Sequence, residues 1–292
     1  MGYITMKDFA ISGGLCSQLQ IYASLLAVAK ANNLKIAFSE EMLNHKYKVH
    51  VFDLLKLEYE LKPNDFFNDF QDKHIDYHTT RYDETLFNLD SSLNYNLIGR
   101  FDLYTYWYND IKENVEKWEY KDSLQEQALE RMNIIKKNLG DKPTISIHFR
   151  RGDYLLPKYN HVYCKLDMDY YFQAITENFK PIEDYNFVVF SNDIEFCKQN
   201  FTGDNVWYVE PVIIPEINPE KVWTDSEKED LALMSLCDHH IIANSSYSWW
   251  GAFLSKNPNK KIICPTNYVI SPSLNDWING NYYPSNWINI NN

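Results

Sequence analysis

From Pro143 onward the chain alternates short apolar runs with amphipathic stretches, and this rhythm limits its fold more than any other feature. Apolar runs at 144–150, 186–191, 206–209, 239–243 and 261–264 have the length and composition of strands, while 167–179, 193–200, 225–237 and 247–254 carry helical spacing. Nearly continuous apolar strands are buried on both faces, and helical crossovers make neighbouring strands parallel. An α/β fold with a doubly covered parallel sheet follows.

The first half is less regular. A short apolar stretch leads into a Ser12-Gly13-Gly14 turn and a helix over 18–31 stopped by Asn32-Asn33, the opening of a βα unit. Residues 34–38 read as a second strand, 51–55 has no clear type, and 64–109 is polar and aromatic without an assignable period. A helix over 122–139 ends at Gly140 with Pro143 just beyond, stop signals in the expected order. The domain boundary is therefore expected there, giving 1–140 and 141–292, and two domains suit a chain of 292 residues at about 150 residues each. A loop with Pro211, Pro215 and Pro219, running into the acidic stretch 216–230, reads either as a connection or as a lid.

Charge and composition narrow the function classes. Lys and Arg number 28 against 40 Asp and Glu, a net charge of −12, which argues against a partner that is a nucleic acid because neutralising phosphates needs a clustered positive field. The longest apolar candidate, 15–29, is broken by Ser17, Gln18, Gln20 and Ser24, so no transmembrane segment is expected. The opening MGYITMKDFA shows no leader peptide. Five widely spaced cysteines (Cys16, Cys164, Cys197, Cys237, Cys264) without a C-x-x-C pair suit neither a disulfide framework nor a zinc ribbon. A cytoplasmic location is the expectation, and peripheral attachment at the inner face of the membrane is compatible with it. The aromatic content of 16% exceeds what a core alone requires; aromatic faces serve sugar rings and bases as well as packing.

Three strand ends carry the chemistry. In Thr144-Ile145-Ser146-Ile147-His148-Phe149-Arg150-Arg151-Gly152-Asp153, alternation places Ser146, His148 and Arg150 on one face, gathering polar groups at the strand's carboxyl end. Open α/β sheets bind ligands at that end, and two adjacent guanidiniums suit a diphosphate. Asp153 and neighbouring acids could equally absorb the arginines. In Val188-Val189-Phe190-Ser191-Asn192-Asp193, Asp193 is either a helix N-cap or an acceptor for N1 and N2 of guanine. In Ile241-Ile242-Ala243-Asn244-Ser245-Ser246-Tyr247-Ser248-Trp249-Trp250, hydroxyls and a helix N-terminus offer a phosphate site, or else ordinary capping with tryptophans in the core. Together these ends describe a nucleotide pocket. P-loop, nucleophile-elbow and H-E-x-x-H patterns are absent, and His161 with Cys164 or the pair His239-His240 are poor metal ligands, so no metal is expected.

The same residues resemble glycosyltransferase family eleven, inverting GDP-fucose-dependent enzymes that are mostly α-1,2-fucosyltransferases. The resemblance rests on His148-Phe149-Arg150-Arg151-Gly152-Asp153 as an H-x-R-R-x-D motif, on the FSND run ending at Asp193, and on ANSSYSWWGAFLS from Ala243. It implies a GT-B-like fold, two Rossmann-like domains facing a cleft, with 1–140 on the acceptor side and 141–292 binding GDP-fucose, and no metal. It also implies transfer of L-fucose, with inversion, to a hydroxyl such as the 2-OH of a terminal galactose on a glycan or polysaccharide. By the same resemblance Arg150 and Arg151 hold the diphosphate, His148 and Asp193 contact guanine, Asn244, Ser245 and Ser246 line the phosphate site, and Gly13, Gly14 and Gln18 approach the donor. Asp153 is the candidate for taking the acceptor's proton, and equally a structural partner of the arginines. The family's GGLGNQ reads here Gly13-Gly14-Leu15-Cys16-Ser17-Gln18, a change that would be costly if position 16 needed a positive φ. Two alternatives stand beside this reading: a non-catalytic GDP-sugar or glycan-binding protein of the same fold, and a transferase making another fucosyl linkage or using another GDP-sugar.

Overall fold

A computed structural model describes all residues except 10–12, 45–50, 75–81, 100–103, 211–225 and 272–280. The chain divides into two compact units, Met1–Lys121 and Asp122–Asn292. The proline-rich loop and the start of the acidic stretch lie outside the described residues.

The first unit runs β1 (Tyr3–Thr5), α1 (Leu15–Ala31), β2 (Lys35–Phe38), α2 (Glu40–Leu43), α3 (Val51–Leu54), β3 (Glu60–Leu61), β4 (Gln71–His74), β5 (Tyr95–Ile98) and α4 (Tyr108–Val115). Its strands pair in the order β3-β2-β1-β5-β4, all parallel. Helix α1 is buried along most of its length, as an apolar helix without a polar face must be. It ends at Asn32, whose Nδ2 donates to the carbonyls of Val28 (2.8 Å) and Leu86 (2.7 Å). Strands β4 and β5 come from the stretch without an assignable period. β5 is central but carries Asn96, whose Oδ1 accepts from Lys7 N (2.9 Å) while its Nδ2 donates to Asp72 (2.8 Å). β4 is a polar, mostly exposed edge strand, so neither shows an apolar period.

The second unit runs α5 (Asp122–Leu139), β6 (Thr144–Phe149), α6 (Met168–Asn178), β7 (Asn186–Ser191), α7 (Ile194–Asn200), β8 (Val206–Tyr208), α8 (Ser226–Ser235), β9 (His239–Ile241), α9 (Ser246–Leu254), β10 (Ile262–Pro265) and β11 (Ile288–Ile290). The strands are all parallel, in the order β11-β10-β9-β6-β7-β8. Ile145, Ile147 and Phe149 of β6 pack with Val189, Ile241 and Ile263 against Tyr170, Tyr171 and Ala174 of α6. The two phenols donate to the carbonyls of Ile242 (2.7 Å) and His148 (3.0 Å). Every β6 position is buried, so the polar alternation reports internal hydrogen bonds and not a solvated face: Ser146 Oγ lies 2.8 Å from His240 Nδ1. Helix α5 packs on α8, and Arg131 pairs with Asp230 at 2.7 Å, which puts α5 with the second unit and the division ahead of Gly140. Two parallel Rossmann-like sheets, one per unit, make the fold α/β and GT-B-like.

Candidate functional site

In the second sheet the chain proceeds from β6 outward through β7 and β8, then returns to lay β9 on the other side of β6. The carboxyl ends of β6 and β9 therefore flank a topological switch point, where the loops diverge and leave room for a ligand. His148 and Arg150 stand at the end of β6; Asn244, Ser245 and Ser246 follow β9.

His148 is 5% exposed, and burial, with the Arg150 charge as a second cause, lowers its imidazole to about 3. It is neutral at physiological pH. Nδ1 lies 2.9 Å from Ser248 Oγ, which also accepts from Ala243 N at 3.2 Å. The Ser248 hydroxyl also reaches the carbonyls of Ser245 (3.4 Å) and Ala243 (3.5 Å). Nε2 has no partner among the described residues. The ring is thus neutral, with Nε2 left for a polar partner.

The two arginines leave β6 in different directions. Arg150 Nη2 pairs with Asp153 at 2.7 Å, its guanidinium lies 5.0 Å from the Tyr154 ring, and its buried Nε has no hydrogen-bond partner among the described residues. Arg151 Nε donates to Asp193 Oδ2 at 3.0 Å, with the guanidinium stacked 3.3 Å over Phe196. Of the two expected readings of Asp193, the structure shows the N-cap: its Oδ1 caps α7 by accepting from Phe196 N (3.3 Å), while Oδ2 is taken by Arg151. Asp153 is engaged with Arg150, the structural-partner arrangement. Gly152, at φ +46°, has no alternative, since a Cβ would collide with the Asn192 side chain whose Oδ1 accepts from Arg151 N at 2.9 Å.

At the end of β9, Asn244 is buried and both its amide protons are committed, to the carbonyls of Cys164 (2.7 Å) and Tyr268 (2.9 Å); its own carbonyl accepts from Tyr154 OH (3.1 Å). It holds the β9 loop to the loop that carries Arg150. Ser245 is the N-cap of α9, accepting from Tyr247 N at 3.3 Å. The half-buried Ser246 hydroxyl, by contrast, has no partner among the described residues.

Sequence reasoning missed two acids on α8. Burial raises Glu227 to about 7 against the opposing pull of Arg150, and raises Asp230 to about 6 despite Arg131. The acidic stretch reads as solvated, and only the tertiary burial of α8 changes that. Tyr247 carries no signal in the sequence either: its OH donates to the Glu227 carbonyl (2.9 Å) and its ring lies 5.6 Å from that of His148.

In the first unit, Gly13 sits at φ +138°, where a Cβ would meet Ser17 Cβ at 2.7 Å; Gly14 is the extended N-cap of α1. Cys16 lies buried in the first turn of α1 with ordinary helical geometry, so its substitution for the usual glycine costs no backbone strain. Gln18 is buried, donating to Gly13 O (3.4 Å) and accepting from Val51 N (3.4 Å). Among the described residues, no group of three or more His, Cys, Asp and Glu side chains is placed to hold a metal ion, and no helix is long and apolar enough to cross a membrane.

Two parallel Rossmann-like sheets, one per unit, place the chain in the GT-B fold class. The chain belongs to glycosyl transferase family 11, whose family profile matches residues 2–291. It is 33% identical over 159 residues to the O-antigen biosynthesis glycosyltransferase WbnK of Escherichia coli, covering 51% of this chain and 48% of that one. It is 28% identical over 206 residues to an α-1,2-colitosyltransferase of Escherichia coli, covering 68% and 65%. The chain thus spans about half to two thirds of the length of these curated relatives. Among solved structures it resembles the NodZ α-1,6-fucosyltransferase soaked with GDP-fucose, with a TM-score of 0.52 at 12% identity, covering 89% of this chain and 97% of that one.

Proposed function

We propose that the protein transfers L-fucose from GDP-fucose to a hydroxyl of a glycan or polysaccharide, with the 2-OH of a terminal galactose as the acceptor. The observation that carries this reading is the Arg150 guanidinium at the end of β6, held by Asp153 and with a buried Nε that has no partner among the described residues, next in sequence to Arg151, which Asp193 holds on the β7 side. Membership of the family supports it, as do the α-1,2 linkage made by one relative and the likeness in fold to a fucosyltransferase soaked with GDP-fucose. On this reading the second unit binds the donor and the first contributes to the acceptor.

The chemistry is a single displacement at the anomeric carbon. As the bond from carbon to the β-phosphate oxygen lengthens, negative charge collects on the diphosphate, and Arg150 and Arg151 are already oriented by Asp153 and Asp193 to receive it. One such preorganised donor is typically worth ~3–4 kcal/mol in the transition state. The His148 Nε2 and the Ser246 hydroxyl remain for polar atoms of the nucleotide. A second reading has an observation of its own: the relative named as an α-1,2-colitosyltransferase points to colitose as the sugar transferred in place of fucose.

Calorimetric titration with GDP, ADP and UDP tests the donor site. Selective GDP binding, weakened at least tenfold in Arg150→Ala, is expected, together with loss of transfer in that variant by about 100-fold or more. Equal binding of all three nucleotides, or near-normal turnover of Arg150→Ala, would refute the assignment. Competition between GDP-fucose and GDP-colitose decides between the two donors.

A further inference from the structure

We propose that Glu227 is the base that takes the proton from the acceptor hydroxyl. The inference rests on the transferase reading above and supplies the group that reading lacks. Asp153, the candidate from sequence, is bound to Arg150 at 2.7 Å and serves to hold that guanidinium. A proton acceptor must instead be uncommitted, close to the diphosphate-binding group, and able to gain and lose a proton near neutral pH.

Glu227 meets each requirement. It lies in the first turn of α8, and the Tyr247 hydroxyl fixes the backbone there through a 2.9 Å bond to the Glu227 carbonyl. Tyr247 belongs to the first turn of α9, beside Ser246, and its ring faces His148. One tyrosine therefore joins the start of α8 to the ends of both β6 and β9. The Glu227 carboxyl is half-buried without being sealed, and among the described residues it has no hydrogen-bond partner. The charged and titratable groups around it are Arg150 from the end of β6, His148 and Tyr247 beside that end, and Asp230 one turn along α8, itself paired to Arg131 of α5. Burial places the Glu227 carboxyl at about 7, where an acid group exchanges protons with least cost at physiological pH.

The step balances. The acceptor O–H gives its proton to the Glu227 carboxylate while its oxygen bonds to the anomeric carbon; the bond from that carbon to the β-phosphate oxygen breaks, its electron pair leaving with GDP. Glu227 later returns the proton to water.

The test compares wild type, Glu227→Gln and Glu227→Asp for GDP binding, for transfer from GDP-fucose to a galactoside across pH, and for transfer to azide, an anion that needs no deprotonation. Expected for Glu227→Gln are GDP affinity within about threefold of wild type, a fall in kcat/KM for the galactoside of about 100-fold or more, loss of the acid limb near pH 7, and fucosyl azide formation near the wild-type rate. Glu227→Asp should keep more activity than the glutamine variant. Near-normal galactoside transfer by Glu227→Gln, an unchanged acid limb, or an equal loss of azide transfer would overturn the proposal while leaving the transferase reading in place. If Glu227→Gln does not fold, an aspartate variant that loses sugar and azide transfer equally would overturn it. Absence of GDP binding and fucosyl transfer in the wild type would bring down the reading, and the proposal with it.

Discussion

At Glu227 the needs of the site and of the fold oppose each other. A carboxyl raised from the ordinary 4.5 to about 7 by burial binds a proton more tightly in the folded protein than in the unfolded chain. Its stability contribution is therefore complete below about pH 4.5 and is lost as the pH rises through 7, where the folded state must hold a poorly solvated charge. Glu227→Gln keeps the shape and removes the charge. The variant should be more stable than wild type at pH 8, by up to ~3 kcal/mol, and nearly equal to it at pH 5. Urea midpoints at the two pH values measure this directly; a gain of the same size at both would show that the carboxyl is not buried as charge. His148 shows the opposite case, a base held neutral by burial, so that one ring nitrogen can donate and the other accept.

Helices α5 and α8 meet through the Arg131–Asp230 pair, whose side chains are 25% and 18% exposed. Burial raises Asp230 to about 6 even with the guanidinium 2.7 Å away, so desolvation outweighs the attraction of its partner. Removing only the arginine leaves the carboxylate stranded. Arg131→Ala should cost about 1–3 kcal/mol at pH 7.5 and less at pH 5, where Asp230 takes up a proton, and Asp230→Asn should recover most of the loss in the double variant. Additive single effects in that cycle would show that the pair is not coupled.

The legibility of the elements follows from their burial. Strand β7 and the apolar positions of β6 announce themselves because a sheet covered on both faces buries them, the interspersed Ser146, His148 and His240 being hydrogen-bonded inside the sheet or at its end. β4 has the polar sequence of an exposed edge, and β5 carries an internally satisfied Asn96, so hydropathy does not distinguish them from loop. At the site, Arg150, Arg151 and Asp193 were legible because adjacent charges at a strand end have few uses. The commitment of Asn244 to three hydrogen bonds between loops was not, because its partners lie 24 to 90 residues away in sequence. Nor was Glu227, whose unusual character comes from where α8 packs.

For the molecule as a whole, the proposed function sets the problem of bringing a doubly charged diphosphate to a chain of net charge −12. Many transferases of nucleotide sugars could meet it with a divalent cation, which neutralises the leaving group as a Lewis acid. On the proposed function the positive charge is supplied locally: Arg150 and Arg151, adjacent in sequence, are oriented by Asp153 and Asp193, which leave part of each guanidinium's fork of donors for the nucleotide. Asp153 and Asp193, which could otherwise offer a cation ligands, are thus engaged with arginine. Transfer should therefore survive EDTA with kcat/KM unchanged within about twofold, and added magnesium should not rescue Arg150→Ala, whose loss is of a directional donor and not merely of charge. Activity that vanishes on chelation and returns with magnesium would mean that the diphosphate is held by a metal, and that the two arginines serve the β6 end as structural ion pairs.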